Sequence, residues 1–394
     1  MFEQAVRRPE RHPPISGQDG AVTVVGAGPA GLACAIALAR TGRRVVVHEW
    51  HGSVGSRFHD DYQGLENWSD QTDVLEELVN GGVAACFDHH AIKDGIAFDH
   101  AGIQFEIRSR RPLFYLVRRG PRSGSLDRGL LEQAQDLGVT VVFGDRVKAV
   151  EGPAVLAAGP RRADAIAVGY IFDTNAADGC WLVLDQRLAP LGYGYLLVHE
   201  GRGTIATCMF TGFRNQAEHL QQTVAFFCER LSLEMHNPQA FGGFANFRLP
   251  RVAIQGGHLV VGEQAGFQDA PAGFGMRHAF RSGFLAARSI IQQTDYAALW
   301  RDEIQPSLRA AVVNRFLFSL AGEAGRSHAL RMLSEGDAGA TLRRFYRPSL
   351  LSNVLFPVAR LRYRALLRDQ SCGHEDCRCV WCQCQTERKA ATWV

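Results

Sequence analysis

The first strong pattern along the chain is a short apolar run over 21–25. It is broken by Gly26-Ala-Gly-Pro-Ala-Gly31 and followed by an Ala-, Leu- and Ile-rich stretch over 32–41 that ends at Gly42. An unbroken run rich in β-branched residues suits a buried parallel strand, and the longer Ala-rich run suits a buried helix with Gly42 at its end. Residues 44–49 read as a second strand, so the segment predicts one strand–turn–helix–strand unit. The stretch over 21–39 is nearly long enough to span a bilayer, but its glycines and Pro29 suit a turn far better.

Beyond this unit the periodicity predicts helices over 73–79 and 126–137 and strands over 113–118, 139–143, 147–151 and 164–168. Two short alternating runs fall within 96–107. Strands dominate 170–247, at 195–199 and 203–210, with one helix over 219–231. A strand at 258–261 and a helix over 275–293 follow, and 297–368 reads as mostly helical. The fold class is therefore α/β: a discontinuous Rossmann-like domain over 21–169 and 250–295 with a strand-rich substrate domain inserted at 170–249. Part of 65–112 is expected in that inserted domain. A polar arm over 1–20, a helical region over 296–368 and a Cys-rich tail over 369–394 complete the organisation.

Composition narrows the class. With 394 residues the chain exceeds a single typical domain, and 46% apolar with 21% charged residues is ordinary for a globular protein. A net charge of +3 is too mild to argue for nucleic acid. Of 43 basic residues only Lys93, Lys148 and Lys389 are lysines, a bias that reads as a GC-rich bacterial genome. The first twenty residues lack the apolar core of a signal peptide, so a cytoplasmic protein with reduced thiols is expected.

Gly26-x-Gly28-x-x-Gly31 carries the first chemistry. One glycine makes the tight turn, the next lets the backbone approach a pyrophosphate, and the third lets helix and strand pack. Glu49, eighteen positions after the last glycine, can accept hydrogen bonds from a ribose diol. A second motif, Val261-Gly-Glu-Gln-Ala-Gly-Phe-Gln-Asp-Ala-Pro-Ala-Gly-Phe-Gly-Met276, lies more than 200 residues downstream, and an NAD fold has no need of it.

With these two motifs the chain resembles the FAD-dependent oxidoreductases of the geranylgeranyl reductase type, which share the fold of the aromatic-ring hydroxylases. The resemblance covers about residues 21–290 and implies FAD as cofactor. Gly262, Ala265 and Gly266 match the segment that meets the ribityl and phosphate region in that family, with Glu263 where the family has Asp. Pro271, Gly273, Gly275 and Met276 match the segment that passes the flavin ring. Arg57 matches an Arg in a Gly-x-x-x-x-Arg context, and Arg118/Arg119, followed by Leu126-Asp127-Arg128 and a helix to Gly138, match a segment in which an Arg approaches the flavin nucleotide, with Arg118 as the expected contact. Gly192-Tyr-Gly-Tyr195 matches the start of a substrate-domain signature without its Trp, Phe and Pro.

Asp60, Trp68, Tyr193 and Tyr195 are the expected catalytic or positioning residues, with 60–68 as a third wall beside the flavin. The expected reaction moves hydride between flavin and a hydrophobic, unsaturated small molecule. A flavin-dependent monooxygenase and a non-catalytic flavoprotein are the alternatives. No second Gly-rich turn is present, so electrons would come from transiently bound NAD(P)H, a donor protein or the substrate. The tail places Cys372, His374, Cys377, Cys379, Cys382 and Cys384 within thirteen residues, a density that suits Zn²⁺ or an iron–sulfur centre. Between 301 and 368 twelve Arg stand against five acids, interleaved with Leu and Phe, a pattern compatible with peripheral membrane contact.

Overall fold

A computed structural model describes residues 20–160, 162–247, 249–366 and 379–382. The chain opens with β1 (Val22–Val25), α1 (Pro29–Ala39) and β2 (Val45–Glu49). The helix starts three residues earlier than expected, because Pro29 has no N–H to lose in a first turn and its ring presets helical φ. Next come β3 (Asp61–Glu66), α2 (Val74–Asn80), β4 (His89–Ile92), β5 (Asp94–Asp99), β6 (Gln104–Arg108) and β7 (Phe114–Arg119). Asp73 caps α2 by accepting from Leu75 N at 2.9 Å. Then follow α3 (Leu126–Asp136), β8 (Thr140–Phe143), β9 (Ala154–Leu156), β10 (Ala165–Asp173), β11 (Gly179–Leu184), β12 (Tyr193–His199) and β13 (Arg202–Met209). The strand expected over 147–151 does not form; β9 takes the place beside β1 instead. The remaining elements are α4 (Gln216–Leu231), β14 (His236–Ala245), β15 (Ile254–Gln255), β16 (His258–Val260) and α5 (Gly262–Ala265), then α6 (Met276–Gln292), α7 (Tyr296–Glu303), α8 (Gln305–Leu320), α9 (Gly322–Ser334), α10 (Ala338–Tyr346) and α11 (Leu350–Leu366).

Three sheets result. The first has the order β15-β16-β9-β1-β2-β8 and is parallel except at β15. The chain runs from β1 to β2 on one side and later returns to β9 on the other. The strand order therefore reverses at β1, and a crevice opens at the carboxyl ends of the strands there. α6 packs on α1 so closely that a Cβ at Gly283 would lie 2.4 Å from the Ala30 carbonyl oxygen. The second sheet has the order β14-β10-β13-β12-β11-β5-β6 and is antiparallel except between β11 and β5. The third, β3-β7-β4, is a small antiparallel ribbon between them.

Alternation along β12 shows how the second sheet is used. Leu196 and Val198 join Phe227 of α4 in a buried cluster, while Tyr193, Tyr195 and Leu197 face a cleft on the other side. The helical region closes the cleft from the far side. α11 packs on α8 through Leu355, Phe356 and Ala359 and turns Leu350, Leu351, Val354, Val358 and Leu361 outward. Among the described residues no helix is long and apolar enough to cross a membrane.

Residues 379–382 lie on β14. The Val380 side chain occupies the space a Cβ at Gly242 would need, the Trp381 ring meets Phe244 edge-on at 5.0 Å, and Val380 N donates to Gln216 Oε1 at 3.0 Å. Cys379 and Cys382 are buried in the same cluster.

Candidate functional site

One cleft of about 1080 Å³ runs from the turn after β1 to the helices α8–α10, slightly larger than the roughly 300–1,000 Å³ of small-molecule sites. The Gly-rich turn forms one end, and each glycine there has a separate reason. Gly26 has φ +108°, and a Cβ would sit 2.3 Å from Ala157 O. A Cβ at Gly31 would sit 2.0 Å from Gly26 O, so this glycine lets α1 lie against its own turn. A Cβ at Gly28 would meet nothing within 4 Å: the backbone there is bare and faces the cleft. The first-turn N–H groups of α1 have no partner within the helix and present the positive end of its dipole. Glu49 closes this end, with Oε2 accepting from Ala27 N at 2.8 Å and Oε1 from His51 N at 3.0 Å.

The second motif forms the adjoining wall. Gly262, with φ +59°, starts α5 and donates its N–H to Ser282 Oγ at 2.9 Å. Glu263 accepts from Asn246 N at 3.2 Å and stands 3.4 Å from Arg57 Nη1. Burial raises its pKa, and Arg57 opposes that rise. Arg57 also donates to Phe244 O at 3.0 Å. Gly273 has φ +79°, and a Cβ at Gly275 would overlap Gln268 Oε1. Gly273, Gly275 and Met276 line the cleft at the start of α6. Ala265 and Gly266 instead close the α5 turn, where Gly266 at φ +85° is its cap, and neither reaches the cleft.

The rest of the cleft is largely apolar. Trp68 lies edge-on to Phe274 at 4.6 Å, and Phe114, Phe210 and Tyr195 continue the lining. Tyr193 donates its hydroxyl to Ala272 O, and burial holds both tyrosines well above their usual pKa of 10. Behind this wall Asp269 accepts from Tyr346 Oη at 2.8 Å and from Ala272 N at 2.9 Å, and burial pushes it up to about 7.

Two further expected residues are placed elsewhere. Asp60 is buried at φ +65°, 2.9 Å from Arg122 Nε, and does not line the cleft; Asp61 does. Arg118 donates to Asp88 Oδ2 at 2.6 Å and to Ser123 O at 3.0 Å outside the cleft; Arg119 lines it, held by Asp127 at 2.8 and 2.9 Å. The two displacements differ in cause. Arg118 and Arg119 are neighbours on β7 and point to opposite faces, whereas Asp60 precedes β3, in left-handed backbone at φ +65°. Burial raises the pKa of Asp61, against which act the His59 N–H and the Gln63 amide, at 3.0 and 2.7 Å, and the Arg119 charge. Of the tail, Cys372, His374, Cys377 and Cys384 lie outside the described residues. Among the described residues no group of three or more His, Cys, Asp or Glu is placed to hold a metal.

Residues 24–67 match the model of the NAD(P)-binding Rossmann-like domain. Comparison with curated proteins gives no match. Among solved structures, the chain is similar to a geranylgeranyl bacteriochlorophyll reductase-like protein from Thermoplasma acidophilum, at 16% identity and TM-score 0.65, covering 88% of this chain and 98% of that one. It is similar to a triple mutant of the flavin-dependent brominase Bmp2, at 16% identity and TM-score 0.59, covering 87% and 99%. It is also similar to the p-nitrophenol 4-monooxygenase PnpA from Pseudomonas putida, at 14% identity and TM-score 0.58, covering 86% and 98%. At these identities the likeness establishes architecture: the chain has the fold that this reductase-like protein, the brominase and the monooxygenase share.

Proposed function

We propose that the chain is an FAD-dependent oxidoreductase that moves hydride between the flavin and a hydrophobic, unsaturated small molecule. The observation that carries this reading is that a single cleft joins the bare backbone at Gly28 and the Glu49 carboxylate to the aromatic walls around Tyr195, Trp68 and Phe274. When bound, FAD supplies the hydride chemistry, and the protein supplies position and a dry surrounding. Gly28 and the first turn of α1 take the pyrophosphate. Each Glu49 oxygen accepts one backbone N–H and keeps a further lone pair for a ribose hydroxyl. Arg57 and Glu263 hold each other beside the second motif, and Arg119 is fixed by Asp127. The aromatic walls exclude water. Tyr193 and Tyr195 remain protonated; Tyr193 is spent on Ala272 O, which leaves the Tyr195 hydroxyl to orient a ligand.

The test begins with the visible spectrum and flavin content of the purified protein, where stoichiometric FAD is expected. Anaerobic NADPH is then expected to bleach the flavin, and an isoprenoid alcohol to reoxidise it and gain two hydrogens. Protein without flavin would overturn the reading. Incorporation of isotopically heavy oxygen from O₂ into the product would replace it with the monooxygenase reading.

A further inference from the structure

Arg326, on α9, is a cation in an unusual place. It is 4% exposed and lines the cleft at the end remote from Gly28, among Phe318, Ala329, Leu330 and Leu333. Its guanidinium carbon lies 4.6 Å from the centre of the Phe318 ring. Among the described residues no carboxylate comes within ion-pairing distance of it, and its Nε donor is buried without an acceptor. Glu323, one turn earlier, acts on it only through space and is itself half-exposed beside His100, 3.6 Å away. Two other buried arginines are differently served: Arg277 meets Glu77 at 2.9 Å and Arg119 meets Asp127. Arg315 of α8, also buried, stacks over Phe210 at 3.5 Å and lies 5.6 Å from the centre of the same Phe318 ring.

Burying a cation without an anion is costly, and one ring face recovers only part of that cost. Desolvation accordingly lowers the pKa of Arg326, while the fork of donors stays charged at neutral pH. A buried guanidinium whose Nε lacks an acceptor, on a stretch of wall formed by Phe318, Ala329, Leu330 and Leu333, is what an acidic group on a ligand would complete.

We propose that Arg326 binds the anionic group, carboxylate or phosphate, of an otherwise hydrophobic substrate whose apolar part lies along the cleft toward the flavin end. This rests on the reading of the cleft as a substrate site given above.

The experiment uses the full-length protein as purified, with decanoate, decyl phosphate and decanol as probes of equal chain length. Binding is followed by quenching of tryptophan fluorescence, since Trp68 lines the cleft. One charge-assisted contact predicts that at least one of the anions binds about tenfold or more tightly than decanol. Whichever anion is preferred identifies the head group. Arg326→Leu is expected to abolish the preference while leaving decanol within about twofold, the residual spread of an uncharged contact. Arg326→Lys is expected to keep part of it. Equal binding of anions and alcohol by the wild type, no binding of either anion, or an Arg326→Leu protein with its preference intact would each overturn the proposal. The wild-type comparison stands even if Arg326→Leu fails to fold. Flavin content is measured on the same samples: loss of flavin from the wild type would sink the oxidoreductase reading, and an anion preference would still be read independently.

Discussion

Replacing Gly28 by Val separates the fold of the glycine turn from its use. At φ −81° and ψ 178° Gly28 sits in extended backbone that valine adopts readily, and a Cβ there touches nothing within 4 Å. The protein without cofactor is therefore expected to keep its stability within about 0.5 kcal/mol, or to gain up to about 1 kcal/mol from a stiffer unfolded chain. The cost falls on the ligand. The branched side chain occupies the approach to the α1 N-terminus and displaces a pyrophosphate from its N–H donors. One charge-assisted hydrogen bond is worth about 1.5–3 kcal/mol, so FAD affinity is expected to fall by about 10- to 150-fold for each such bond that the valine prevents. Denaturant titration of flavin-free wild type and variant measures the first quantity, and titration of each with FAD the second. A variant that binds FAD like the wild type refutes the placement of the pyrophosphate at Gly28. A variant that loses several kcal/mol of stability refutes the claim that the space beside Gly28 is open.

Three further outcomes are expected. Asp61→Asn, which removes a cleft-facing carboxylate, is expected to raise the reduction potential of bound flavin, whereas Asp60→Asn leaves it unchanged; equal shifts in both variants would contradict the placement of Asp61 alone in the cleft. Asp269 is held up to about 7 when folded, against about 3.9 unfolded, so the native state keeps a proton the unfolded chain releases. Its contribution is fully present below about pH 4 and lost as pH rises through about 7; wild-type stability measured against Asp269→Asn is expected to fall between pH 5 and pH 8, and a pH-independent difference would contradict this. Residues 338–366 carry six Arg and no acid, and α11 exposes Leu350, Leu351, Val354, Val358 and Leu361, so co-sedimentation with anionic vesicles is expected at low salt and not at high salt; no binding at low salt retires that expectation.

The legible parts of this protein were those whose meaning is local. The spacing of Gly26, Gly28 and Gly31 can be read because the turn, the bare backbone and the helix packing all arise within six residues. The same holds for the helix over 126–137, whose apolar positions repeat within one element. Arg118 misled because the face of a strand residue depends on pairing register, and the β3–β7 register is set by distant contacts; Asp60 misled because its left-handed backbone just ahead of β3 turns it away from the cleft. β14 was hidden by Pro238, Gly242 and Gly243, which an edge strand tolerates and a pattern search reads as a loop. Arg326 was invisible for a different reason. In the stretch Gly322-Glu-Ala-Gly-Arg326 an arginine reads as a solvated helix residue, and only the packing of α9 against β5 and β6 buries it.

The turn at 379–382 gives the end of the chain leverage over the middle of the molecule. Trp381 and Val380 brace the outer side of β14 at Phe244 and Gly242, and those same two residues line the cleft. The Phe244 carbonyl in turn steadies Arg57, the partner of Glu263. A protein shortened just before Cys379 would retain every side chain that lines the cleft and still lose the backing of one wall. Changes in cofactor retention after C-terminal trimming, tagging or chemical modification of Cys379 and Cys382 would then report on wall rigidity, without any of those groups touching the ligand.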